Sequence, residues 1–171
     1  MRVFGFAGWS GSGKTTLVEQ LIQRLVAHGL RVSTIKHAHH DFDLDQPGKD
    51  SYRHRYAGCT EVIVSSAKRF AMIRELRGDP ELTLAEAMAR LSSCDLVLVE
   101  GYKHAPIPKL EIYRSMLGKP LLHPGDRYIV AIAADTPAAL AGRSLPLFAL
   151  DAYDTLATFV EERAVYADSA H

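Results

Sequence analysis

The stretch GWSGSGKTT, from Gly8 to Thr16, holds the most concentrated chemistry in the chain. Gly8-x-x-x-x-Gly13-Lys14-Thr15 has the spacing of a phosphate loop, with an apolar segment before it and a helical pattern after it. Glycines at 8, 11 and 13 let the main chain curl so that successive N–H groups face phosphate oxygens, where a β-carbon would obstruct. The first turn of the following helix adds unpaired N–H groups and a positive dipole end. Lys14 supplies a compact cation for the β- and γ-phosphates, and the Thr15 hydroxyl is the usual Mg²⁺ ligand. The expectation assigns Gly8, Ser10, Gly11, Ser12, Gly13, Lys14, Thr15 and Thr16 to a nucleotide and Thr15 to its metal. A glycine-rich turn that binds nothing would have no use for the lysine and the threonine.

Mg²⁺ keeps several waters, so one hydroxyl and one nearby acid can suffice. Glu100 ends the run DLVLVEG, where ligands of parallel sheets gather, and could meet the metal through water or orient a nucleophile. The plainer alternative is an acid that caps a strand end or pairs with Lys103. Asp95 stands at the wrong end of that strand. Catalytic roles stay unassigned, with Lys14 and Glu100 as candidates. Asp135 follows the run VAIAAD and could accept the N1 and N2 hydrogens of guanine, which adenine does not offer; Asp135-Thr136-Pro137 is equally an ordinary helix entry or turn.

Other polar clusters read less sharply. His37, His39, His40 and His54 invite a zinc reading, but the spacing is loose and no cysteine is close, so polar loop residues near a nucleotide are expected. Asp41, Asp43 and Asp45 lack the glycine and the final glutamate of a calcium loop. Arg53, Arg55, Arg69, Arg74 and Lys103 could meet a second anion, although solvated surface is the commoner fate of such charges.

The elements that must hold these residues alternate strand and helix. Val3, Phe4 and Phe6 form a short buried strand, and a helix runs from Thr15 with Leu17, Leu21 and Leu25 on one face until Gly29. RVSTIKH (31–37) is a second strand, followed by a polar stretch to about Tyr56. EVIVSS (61–66) and RFAMIRE (69–75) make a hairpin through Ala67-Lys68. Thr83-x-x-Glu86 opens a helix to about Leu91. DLVLVEG (95–101), the alternating KLEIYR (109–114), YIVAIAAD (128–135) and LPLFALD (145–151) are further strands, and Asp151 caps a last helix from about Ala152 to Tyr166. The expectation is one α/β domain over 1–171, a three-layer sandwich around a mostly parallel sheet, with the hairpin at about 61–75 as an excursion.

With 20 Lys+Arg against 20 Asp+Glu, the chain lacks the basic surplus that a nucleic-acid partner calls for. Cys59 and Cys94 have no metal or disulfide spacing and read as buried small apolar groups in a reducing compartment. No apolar run has the length of a membrane span, and Arg2 leads straight into VFGFAG rather than a signal segment, so a cytoplasmic protein without membrane contact is expected.

Four stretches together, GWSGSGKTT, TIKHAHHDFDLDQPGKDSYRHRYAG, DLVLVEGYKHAPIPKLEIYR and IAAD, resemble the MobB-type adaptors of molybdopterin guanine dinucleotide biosynthesis over nearly the whole chain. That resemblance implies a P-loop GTP-binding protein that holds GTP with Mg²⁺, hydrolyses it weakly, forms a homodimer through the hairpin, and assists the molybdopterin guanylyltransferase or helps deliver the finished cofactor. Gly8 to Thr16 match its nucleotide loop and Glu100 its acid position; His37, Asp50 and Lys109 fall in its motifs without an assigned chemistry. Many related dimeric P-loop proteins carry a lysine just after the first glycine, and here that position is Trp9. The competing resemblance is to small-molecule kinases such as uridine kinase, through GxSGSGKTT and a strand ending in Glu-Gly. A kinase closes an arginine-bearing lid, for which Arg74 and Arg77 are the nearest candidates.

Overall fold

The computed structural model describes residues 1–38, 42–142 and 144–167. It resolves into two compact units, Met1–His37 with Leu84–His171, and Ala38–Thr83.

The first unit is built on a sheet. Strands β1 (Arg2–Ala7), β2 (Val32–Lys36), β5 (Leu96–Glu100), β6 (Lys109–Tyr113), β7 (Ile129–Ala134) and β8 (Leu147–Ala149) lie parallel in the order β2-β5-β1-β6-β7-β8. Both faces are covered, which explains the unbroken apolar runs. Along β5, Leu96 and Leu98 enter one core with Phe4, Phe6, helix α1 (Lys14–Ala27) and helix α4 (Tyr153–Arg163). Val97 and Val99 enter the other with Val3, Ile107 and Met88 of helix α3 (Leu84–Ala89). This is the expected three-layer α/β sandwich. All the parallel strands end on one edge, and the loops after β1, β2, β5, β6 and β7 leave from it.

The C-terminal expectation needs correcting in two places. The last helix stops at Arg163, and Val165–Tyr166 form a short strand, β9, antiparallel to β1 through Arg2↔Tyr166 and Val3↔Val165. Asp151 does not cap α4: no side-chain cap is made, and the main-chain oxygen of Asp151 accepts the Tyr153 N–H instead.

The second unit holds the hairpin, β3 (Glu61–Ser65) paired antiparallel with β4 (Phe70–Arg74), and a seven-residue helix, α2 (Asp50–Tyr56), in the stretch read as polar loop. Arg55 is 7% exposed, so the expectation of a solvated surface charge fails for it. Its guanidinium is held by Asp43 at 2.8 Å, Asp45 at 3.3 Å and Glu75 at 2.5 Å, which is how a buried cation is tolerated. Cys94 is buried as expected, but Cys59 is exposed, its thiol donating to the Glu61 carbonyl.

Candidate functional site

The phosphate loop leaves β1 and enters α1 on the edge where the parallel strands end. Two of its glycines are required by their surroundings. A β-carbon at Gly8 would stand 2.7 Å from the Ile112 carbonyl oxygen and 2.8 Å from Ser12 Oγ. Gly13 sits at φ +90°, and a β-carbon there would stand 3.1 Å from Arg114 Nη2. Helix α1 starts without a side-chain cap and without an acid in its first turn, so its free N–H groups and positive dipole end are unopposed by the protein. Ser12 is 1% exposed, and its hydroxyl has no hydrogen-bond partner among the described residues. An orphaned buried hydroxyl inside a curled, uncapped loop fits an anionic ligand.

Lys14 Nζ donates to the main-chain oxygens of Gly8 at 2.7 Å and Trp9 at 2.9 Å. Burial pushes this ammonium below its ordinary value, Glu100 opposes that, and Lys103 and Lys36 push it further down. Three lysines and one carboxylate therefore act on one another at the ends of β2 and β5 and the start of α1, a local positive excess in a chain of zero net charge. The Thr15 and Thr16 side chains are exposed on the first turn of α1, and Glu100 is half-buried at the end of β5, in register with Phe6 and Lys36. A hydroxyl and a carboxylate close to the loop lysine are a donor set that suits Mg²⁺ with retained waters. Behind Glu100 the chain turns at Gly101, φ +95°, where a β-carbon would meet His37 Cβ at 2.5 Å. His37 donates its N–H to the Glu100 carbonyl, and its ring lies 5.0 Å from that of Tyr102. His37 thus packs the exit of β2 against the exit of β5.

On the other side of β1, the site contains Asp135 together with groups that the sequence reading did not single out. Arg114 Nε donates to the Ser12 carbonyl at 2.9 Å, tying the exit of β6 to the loop. Asp135, at the exit of β7, accepts the Ser115 N–H and hydroxyl and the Thr136 hydroxyl. The Ser115 N–H holds its carboxyl below the usual aspartate range; burial opposes this, and the two hydroxyls help to a lesser degree. Between Ser115 and His123 a strap crosses the loop. A β-carbon on Gly11 would lie 3.7 Å from Leu117 Cδ2, and the Trp9 indole N–H donates to the Pro120 carbonyl at 2.8 Å. Asp135 fastens one end of the strap; Glu111 fastens the other by accepting the N–H groups of Leu122 at 2.6 Å and His123 at 3.0 Å.

Glu111 and Lys109 are 1% and 2% exposed, so β6 does not alternate between core and water as expected. Lys109 donates to Asp126 at 2.8 Å and to the Lys103 carbonyl at 3.0 Å, a structural duty for a residue left without one. The signal available was two opposite charges at spacing two inside an apolar strand, which places both on one face.

The loop residues Gly8 to Thr16 and Glu100 thus meet at one edge, and Asp135 joins them through Ser115, Arg114 and Ser12. His54, Arg53, Arg69 and Arg74 belong to the second unit. There Arg74 pairs with Glu61 and Asp79, and Arg77 donates to the carbonyls of Arg55 and Cys59. His39, His40 and Asp41 lie outside the described residues. Among the described residues no three His, Cys, Asp or Glu side chains converge to hold a metal, and no helix is long and apolar enough to cross a membrane.

Comparison with known proteins adds a family match. Residues 3–135 match the family model of MobB, molybdopterin guanine dinucleotide synthesis protein B. The molybdopterin-guanine dinucleotide biosynthesis adapter protein of Escherichia coli is 43% identical over 163 residues, 94% of this chain and 91% of the relative. A crystal structure of molybdopterin-guanine biosynthesis protein B superposes with a TM-score of 0.71 at 25% identity, covering 94% of this chain and 98% of the other. A uridine kinase of Leuconostoc citreum is also similar, at 28% identity over 58% of this chain and 51% of its own length.

Proposed function

The chain belongs to the MobB family, and from that premise we propose that it is an adaptor in molybdopterin guanine dinucleotide biosynthesis that works while holding GTP with Mg²⁺. The observation that carries the nucleotide is the orphaned Ser12 hydroxyl inside an uncapped loop whose lysine is parked on its own carbonyls. In this reading Lys14 exchanges the Gly8 and Trp9 oxygens for phosphate oxygens, and the main-chain N–H groups of Ser10 to Thr16 surround the phosphates. Thr15 Oγ1 and the Glu100 carboxylate are the groups that would hold the metal. The metal, when bound, neutralises charge on the phosphates. Asp135 is assigned to guanine: the Ser115 and Thr136 donors keep it ionised, and a carboxylate oxygen accepts more than one hydrogen bond.

Weak hydrolysis follows from what surrounds the loop. Position 9 carries an indole fastened to Pro120 where related proteins supply a lysine, so no second cation reaches the phosphates from there. The protein partner in this reading is the guanylyltransferase that joins GMP to molybdopterin. The hairpin, with Ile63 and Phe70 exposed at 65% and 73%, is the surface for a homodimer. The whole chain acts as one nucleotide-binding domain with the hairpin as its excursion, in the cytoplasm.

The kinase reading draws on the partial likeness to uridine kinase. Against it, both lid candidates are engaged within the second unit, Arg74 by Glu61 and Asp79 and Arg77 by two carbonyls. Equilibrium titration with GTP and ATP in the presence of Mg²⁺, followed by an assay for phosphoryl transfer to uridine, separates the two. Preference for GTP with slow release of phosphate to water supports the adaptor; preference for ATP with a phosphorylated nucleoside overturns it. Capture of the guanylyltransferase from a molybdenum-replete extract in the presence of GTP then tests the partner.

A further inference from the structure

The order of strands gives the site a direction. Glu100 ends β5 on one side of β1, while Arg114 and Asp135 end β6 and β7 on the other. A nucleotide whose terminal phosphate and metal lie toward Thr15 and Glu100 has to run its nucleoside toward β6 and β7. Arg114 is the first side chain it meets there, because its guanidinium lies against the last glycine of the loop. Nη2, Nε and Cζ would be 3.1, 3.3 and 3.6 Å from a β-carbon on Gly13, so the Nε/Nη2 edge of the plane is set against Gly13. The plane is fixed by the Nε–H bond to the Ser12 carbonyl. No carboxylate and no aromatic ring engages this guanidinium among the described residues, and the side chain is only half-buried. Every other charged group on β6 is committed: Lys109 to Asp126, and Glu111 to Leu122 and His123.

We propose that Arg114 is the platform for the purine base, its guanidinium plane packing against the ring while its Nε–H bond transmits the base's position to the phosphate loop. A delocalised, weakly hydrated cation anchored to the loop by one edge is suited to stacking on a nucleobase, and a lysine at the same place would supply charge without the plane. Neighbouring Asp135 would read the edge of the ring whose face Arg114 supports. The inference rests on the nucleotide-binding reading above and assigns a specificity-determining residue to it.

The test compares two ligands, GTP and inorganic tripolyphosphate, which shares the phosphate chain and lacks the nucleoside, by calorimetric titration with Mg²⁺ on the full chain. Expected for the wild type is clearly tighter binding of GTP than of tripolyphosphate. Arg114→Ala should weaken GTP about tenfold, in line with the loss of one stacked base, and leave tripolyphosphate unchanged. Arg114→Lys should behave like the alanine variant toward GTP. Equal losses for both ligands would make Arg114 a holder of the loop, unchanged affinities would make it a bystander, and full rescue by lysine would make it a charge; each overturns the proposal. A wild type that binds neither ligand would overturn the nucleotide reading itself. Circular dichroism and thermal unfolding of each variant separate these outcomes from a folding defect.

Discussion

Buried Glu111 accepts the main-chain N–H of Leu122 at 2.6 Å, and that bond, with its twin from His123, fixes the far end of the strap that crosses the phosphate loop. Removing the carboxylate leaves two N–H groups without their acceptor in a part-buried site. Glu111→Ala is expected to cost about 2–6 kcal/mol of stability, at roughly 1–3 kcal/mol for each of the two orphaned groups. Glu111→Gln keeps one acceptor oxygen and should recover part of this. Urea unfolding of both variants measures it, and an alanine variant as stable as the wild type would show that the strap is not held from β6.

Lys14→Ala is expected to lower nucleotide affinity about a hundredfold or more while leaving the fold intact, because among the described residues Lys14 donates only to the loop carbonyls of Gly8 and Trp9. Nucleotide titration beside a circular dichroism spectrum checks both halves. Retained affinity with an unchanged spectrum would remove the loop from the site.

Gly13→Ala forces a β-carbon into a left-handed conformation and to 3.1 Å from Arg114 Nη2. The backbone term alone is about 1–2 kcal/mol. A lowered melting temperature is expected, and adding Arg114→Ala should relieve the contact but not the φ strain, so the double variant recovers only in part.

Among the described residues, three carboxylates are held below the ordinary aspartate value of 3.8: Asp43 by Arg55, Asp95 by Arg31, and Asp135 by the Ser115 N–H. A depressed folded-state value stabilises above the ordinary value and is lost as pH falls through the folded one. The Asp95→Asn variant should therefore be less stable than the wild type at pH 7, and the gap should close as the pH drops below 3.8. Denaturant unfolding at pH 7 and at about pH 2.5 measures the two gaps; a gap that widens in acid would reverse the sign argued here.

What could be read from the chain before its fold divides along a physical line. The loop was legible because each residue type does its own task at a fixed spacing: glycine for close approach, lysine for charge, threonine for the metal. The strands were legible because burial on both faces writes continuous apolar runs. Arg114 was not, since its significance lies in one hydrogen bond to a residue 102 positions away. Glu111 and Lys109 were misread because charges in a strand signal water until a buried partner is known, and their partners come from later loops. Helix α2 was missed because it is seven residues long and polar, tied down through the carboxylate partners of Arg55 rather than by an apolar face.

Trp9 is the single tryptophan of the chain, and it stands inside the phosphate loop with its indole N–H on the Pro120 carbonyl and Lys119 above its ring. Ultraviolet emission excited in the indole band therefore has one origin in the whole molecule. The protein carries its own optical reporter at the place where a ligand would arrive, and any shift in wavelength or yield can be read as an event at that loop and strap.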